Sequence, residues 1–227
     1  MFQGFTRETG EFLWELSFHN EKPWFLEHKD QFERCLNRPF RALAGETAER
    51  MQARFPDMEI RCHVSRIYRD ARRLFGRGPY KDHLWFTLKD GADFREGPCF
   101  WFEIGPATYS YGLGCFDVRP SEMALFRQSV DANPARFERL ASAIAEKPEY
   151  RIIGPLYARP KGNYPEPVRS WYERRQVGAE ALKDLGGDAF SPELPRILTE
   201  AFAELKPMYD YLLQIHRAAG EGERRHG

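Results

Sequence analysis

The chain has 227 residues, 42% hydrophobic and 15% aromatic, with 34 Lys plus Arg set against 34 Asp plus Glu. That length can bury a substantial core, and that aromatic content excludes a disordered chain. A formal net charge of zero excludes a global field that would draw in nucleic acid or an acidic membrane, so an anionic partner needs a local patch.

Thr6 is placed to cap a first helix that carries Phe12, Leu13 and Leu16 on one face and closes at Asn20. Pro23 suits the first turn of a second helix with Trp24, Phe25, Phe32 and Leu36, and Pro39 that of a third, with Phe40, Leu43 and Met51, ending before Pro56. The period then changes. Cys62 to Tyr68, Leu84 to Leu88, Cys99 to Ile104 and Thr108 to Cys115 alternate as strands do, and Gly105-Pro106-Ala107 joins the last two as a hairpin. Helices are predicted at Ser121 to Val130, capped by Ser121, and at Pro134 to Glu146.

Tyr150 to Ile153 returns to the sheet. A Pro-rich stretch leads to a short helix or turn around Val168 to Arg174, then to a strand at Gln176 to Leu182. A long closing helix spans Pro192 to Ala219, with Pro207 inside it. The expected class is α+β: a mainly antiparallel sheet of five to six strands, a helical N-terminal region and a long C-terminal helix. Without repeat or linker, residues 1–219 read as one domain and 220–227 as a disordered polar tail.

Cys35, Cys62, Cys99 and Cys115 lie far apart, and no basic region with an apolar run precedes them. Free thiols in a reducing cytoplasm are the expectation. No stretch approaches the ~20 apolar residues of a membrane span. No nucleotide-binding glycine loop, nucleophile elbow or paired-histidine metal motif is present, so no cofactor and no metal is expected. His63, Asp82 and His83 flank the basic loop without a metal-ligand spacing.

The chemistry concentrates between Arg66 and Lys81. Five arginines and one lysine there face the single carboxylate of Asp70, with Tyr68, Phe75 and Tyr80 among them and Gly76 and Gly78 loosening the backbone. Guanidinium forks match phosphate and carboxylate, and each charge-assisted contact is worth ~1.5–3 kcal/mol where water is excluded. The candidate ligand residues are Arg66, Arg69, Asp70, Arg72, Tyr80 and Lys81, with Arg69 and Arg72 as clamp, Asp70 orienting them, and Tyr80 and Lys81 closing the pocket.

A second constellation, Arg159, Lys161, Arg169, Arg174 and Arg175 interleaved with Tyr157, Tyr164, Trp171 and Tyr172, has the composition of a nucleotide site. Arg159 and Lys161 join the candidate ligand residues. Glu103, on the Trp101 side of its strand, is read as a salt-bridge partner before a general base.

The arrangement Arg66-x-x-Arg69-Asp70-x-Arg72, followed by Pro79-Tyr80-Lys81, resembles the signature of the DUF2461 family of bacterial and fungal conserved hypothetical proteins. Phe2-x-Gly4-Phe5, Asn20-x-x-x-Trp24-Phe25, Gly112-x-Gly114 with Arg119-Pro120, and Arg159-Pro160-Lys161-Gly162 extend the resemblance over most of the chain. The family has no established activity, so the resemblance implies no reaction. Arg73, Gly76 and Arg77 stand where the family pattern has Phe, Asp and Lys. Losing that carboxylate removes an acid, base or metal ligand while leaving anion binding intact.

Three readings follow. The leading one is a cationic pocket for a small phosphorylated or carboxylated ligand, with catalysis left open. The second is a nucleic-acid or protein-binding module on a basic aromatic surface, and the third a purely structural Arg–Asp knot. No membrane partner is expected.

Overall fold

The computed structural model describes residues 1–70, 72, 76–91 and 97–224. The helical N-terminal region holds α1 (Arg7–Phe18), α2 (Lys22–Glu27), α3 (Lys29–Phe32), a π-helical turn at Glu33–Asn37 and α4 (Arg38–Arg54). Strands β1 (Ile60–Val64), β2 (Leu84–Asp90), β3 (Cys99–Ile104) and β4 (Thr108–Cys115) follow, then α5 (Pro120–Ala132), α6 (Pro134–Ala145), β5 (Tyr150–Ile153), α7 (Val168–Tyr172), β6 (Val177–Asp184) and α8 (Leu194–Arg224). Among the described residues the sheet is six-stranded and antiparallel, ordered β1-β2-β3-β4-β6-β5. The α+β class expected from the sequence is what the chain adopts.

The chain forms two compact units, Met1–Ala92 with Trp101–Tyr111 and Leu182–Glu200, and Asp93–Phe100 with Gly112–Ala181 and Ala201–Gly227. Their segments interleave along the chain, so no linker in the sequence marks them.

In the first unit the helices lay aromatic rings on one sheet face. Phe40 meets Phe86 and Phe102 at 5.7 and 6.0 Å between ring centroids, and Phe5 stacks on Phe102 at 6.3 Å. The strand pattern puts Leu84, Phe86 and Leu88 on this buried face, all at most 1% exposed. The register pairs His63 with Thr87 and Arg61 with Lys89, which turns Arg61, His63, Trp85, Thr87 and Lys89 to the opposite face.

The predicted second and third helices differ from the structure in where they break. The second stops at His28, and its continuation runs through the π turn into α4 without a gap. Pro39 is the cause of a local defect, because it has no N–H to give the carbonyl of Cys35 four residues back. Thr9, fully buried in α1, replaces it: its hydroxyl donates to Cys35 O at 2.8 Å. A helix defect and a polar residue in the core thus satisfy each other.

In the second unit Phe126 and Phe137 meet edge to face at 5.3 Å, and Phe137 meets Trp171 at 6.2 Å. Phe100 stacks on Phe202 and Tyr209 of α8 at 5.2 and 4.6 Å. α5 begins one residue before the predicted Ser121 cap, with Arg119 as cap and Pro120 in the first turn. α6 is capped by Asn133, whose side chain accepts from Arg136 N–H. α8 runs into the segment read as a polar tail, of which residues 225–227 lie outside the described ones.

All four cysteines are free, with Cys35, Cys99 and Cys115 buried. Burial pushes the Cys35 thiol up to about 12 and the Cys62 thiol to about 11. Among the described residues no helix is long and apolar enough to cross a membrane.

The Thr9–Cys35 bond is testable by isosteric replacement. Thr9→Val strands the buried Cys35 carbonyl and also removes the acceptor of the Thr6 N–H, and is expected to lower unfolding stability by roughly 1–3 kcal/mol in urea titration. Thr9→Ser keeps the donor and most of the stability, and equal losses in the two variants would exclude the bond as the cause.

Candidate functional site

β1 ends at Val64 because Ser65 turns its side chain into the ladder. Trp85 N–H donates to Ser65 Oγ at 3.0 Å, while Ser65 N–H donates to Trp85 O at 2.8 Å. The chain continues as a strap instead of the uninterrupted strand to Tyr68 that alternation predicts. Lys81 N–H donates to Ile67 O at 2.7 Å and Arg69 N–H to Pro79 O at 2.8 Å, around a single bridge between Tyr68 and Tyr80.

Three groups pin the strap through Tyr80. The Asn20 side-chain amide donates to Tyr80 O and accepts from Tyr80 N–H, both at 2.9 Å. Arg69 Nε donates to the same carbonyl at 2.7 Å. The Tyr80 ring is 2% exposed and stacks on Phe25 at 4.1 Å. Gly78 must be glycine here, since a Cβ would lie 2.3 Å from the Asn20 amide.

The candidate clamp residues therefore take separate partners. Arg69 lies along the strap, with its guanidinium 3.5 Å from Asp82 Oδ1. Arg72 points into solvent, its side chain 88% exposed, and donates from Nε and Nη2 to Asp70, which also accepts Arg72 N–H. Asp70 thus organises an exposed turn. Ala71, Arg73, Leu74 and Phe75 lie outside the described residues, so the divergence at Arg73 is not placed. Gly76 has φ +78, a Cβ there would meet nothing within 4 Å among the described residues, and Arg77 is exposed.

A denser set of charges gathers on the sheet face behind the strap. Lys81 Nζ donates to Arg66 O at 2.8 Å and lies 5.6 Å from the centre of the Trp85 ring, which His63 meets at 5.4 Å. Burial and the charges of Arg69 and Arg66 hold the Lys81 ammonium below its ordinary pKa, with Glu103 partly opposing them. Burial, then Lys81, Lys89 and Arg66, lower the His63 pKa, which favours the neutral imidazole.

Glu103 belongs to this face because its neighbour Phe102 stacks on Phe86 in the buried layer. Lys89 is 7% exposed. Asp82 lies 2.9 Å from His83 Nδ1; burial alone would raise its carboxyl, but that hydrogen bond and the Arg69 charge hold it down. Of the candidate residues, the structure brings Arg66 and Lys81 together, and it adds His63, Trp85 and Lys89. Their signal was present as alternation in β1 and β2, but alternation does not say which face stays polar.

The second basic segment belongs to the other unit. Trp171 and Tyr172 are core, and the Tyr164 and Tyr172 hydroxyls both donate to Asp131. Arg169 pairs with Glu166, and Arg174 donates to the carbonyls of Ser170 and Gly154. Arg159 is exposed, whereas Lys161 lies over the Tyr157 ring. Arg127 of α5 also joins this group and carried no signal in the sequence, being thirty residues upstream in an ordinary amphipathic helix.

Fold and charge pattern define a class: an α+β protein that carries a basic strap beside an antiparallel sheet. The family model for conserved hypothetical proteins, DUF2461, matches residues 8–211, and the chain belongs to that family. No curated protein matches it.

The cationic face predicts a depressed histidine. By NMR, His63 titrates below the ordinary ~6.5, and Lys81→Met moves it upward, since a charge that opposes the imidazolium has gone. The unfolded chain binds more protons as pH falls below ~6.5, so the stability His63 contributes is complete above that value and declines below it. A His63 titration unmoved by Lys81→Met would separate the two residues.

Proposed function

We propose that the protein binds a small phosphorylated or carboxylated ligand on the face formed by Arg66, Lys81 and Lys89 beside His63. The supporting observation is the seat of Lys81: its ammonium is fixed by the Arg66 carbonyl and the Trp85 ring, next to a histidine whose pKa is lowered by burial and by the surrounding cations. An anion placed there relieves repulsion among charges that the fold already holds together, so little ordering accompanies binding. In this reading Arg66 and Lys81 touch the ligand. Arg69, Asp70 and Tyr80 shape the strap, and Arg72 stands at its rim.

The half-buried Lys81 and buried Lys89 favour a small ligand over a nucleic-acid backbone, which is contacted by solvent-facing cations. The ligand's charge favours the imidazolium, so affinity increases as pH falls toward the His63 pKa and through it.

Arg66→Ala with Lys81→Met tests the reading, the methionine keeping the aliphatic stem over Trp85. Phosphate, pyrophosphate and citrate are titrated while the His63 ring signal is followed. In the wild type one of these anions raises the His63 pKa; in the double variant the affinity at this site falls about a hundredfold, as losing two charge-assisted contacts implies. A double variant that keeps its melting temperature and binds as the wild type does would refute the site.

A further inference from the structure

The second unit holds an independent cationic centre built on Tyr157. The guanidinium carbon of Arg127 and Nζ of Lys161 each lie 4.6 Å from the centre of its ring, and that of Arg175 lies at 5.4 Å. Three like charges around one phenol repel each other, and the aromatic quadrupole offsets only part of that.

Neighbouring acids are committed elsewhere. Glu173 accepts the backbone N–H of Lys161 at 2.7 Å and of Gly162 at 3.0 Å, while its own carbonyl accepts Tyr157 N–H at 2.9 Å. Asp131 takes the two tyrosine hydroxyls and Glu166 takes Arg169 and Ser170. Among the described residues no carboxylate forms an ion pair with Arg127, Lys161 or Arg175.

The centre is also rigid on one side. Arg127 donates to the carbonyls of Met123, Tyr172 and Arg174 at 2.9, 3.3 and 3.2 Å, which leaves its charge fixed and most of its donors used. The Lys161 loop lies so close to Tyr172 that a Cβ on Gly162 would come within 2.7 Å of the ring. Lys161 and Arg175, in contrast, are exposed and have all their side-chain donors available among the described residues.

We propose that Lys161 and Arg175 grip a dianionic phosphoryl group of a small ligand at Tyr157, with Arg127 as the fixed charge behind them. The aromatic composition of this segment suggested base stacking, but its rings are occupied. Tyr157 is covered by cations, Trp171 and Tyr172 are buried, and the Tyr164 ring packs on Tyr172 at 4.9 Å. Charge, and not stacking, is what the centre offers, so the phosphoryl end of a ligand is the part it recognises.

The test follows Tyr157 ring signals in the full chain, labelled on tyrosine, during titration with pyrophosphate. In the wild type the Tyr157 signals shift and saturate. In Lys161→Ala with Arg175→Ala the midpoint rises about a hundredfold, while in Arg66→Ala with Lys81→Met it is unchanged. Both altered residues are exposed, so the melting temperature of the first variant is expected to stay that of the wild type. Tyr157 signals that ignore pyrophosphate, or that respond equally in the Lys161/Arg175 variant, overturn the proposal. So does a single-stranded oligonucleotide that shifts them where pyrophosphate does not. Because His63 reports the first site and Tyr157 the second, either proposal can fail alone.

Discussion

One side-chain amide holds the arrangement of the first unit's basic residues. Asn20, just beyond α1, does for Tyr80 what a neighbouring strand would do, meeting its N–H and its carbonyl with a donor and an acceptor. Because that carbonyl also receives Arg69, the same point fixes the backbone of the strap and the course of one arginine. Lys81 is the next residue, and its direction over Trp85 follows from where Tyr80 is held. Without the amide, Tyr80 N–H would lose its acceptor and the Tyr80 carbonyl one of its two donors.

Balanced composition concealed how the charge is distributed. Some carboxylates here are used on backbone N–H groups and hydroxyls, Glu173 on the Lys161 loop and Asp131 on two tyrosines. Among the described residues neither forms an ion pair with the cations beside it, so a chain with no net charge still gathers cations locally. Lys81 rests against Trp85 in one unit, and Arg127, Lys161 and Arg175 against Tyr157 in the other, and a ring holds a cation in place without neutralising it.

The elements were legible where one local signal dominated. β3, β4 and β5 are where alternation places them, and α1 begins after Thr6. Legibility failed where a distant residue completes a local deficit. Nothing near Pro39 announces that Thr9 supplies the missing donor, and nothing near Ser65 shows that its hydroxyl interrupts the ladder. The candidate site followed the same rule. The density of arginines pointed to the strap, yet Arg69 and Tyr80 turn to its backbone and core, and Lys89 and Arg127 emerge only when strands and helices are brought together. Gly76 illustrates a milder case: at φ +78 aspartate is among the few residues tolerated besides glycine, so the exchange from the family pattern is conservative for the backbone whatever it does to the chemistry.

The state of the cysteines has a practical consequence. Thiols with pKa values near 11 and 12, in Cys62 and Cys35, are almost wholly protonated at neutral pH, and Cys99 and Cys115 are buried. The folded chain is therefore expected to react slowly with alkylating reagents. A single cysteine introduced on the exposed turn at Arg77 is expected to be the most reactive thiol in the molecule, a ready attachment point for a probe that watches the strap without first removing any native cysteine.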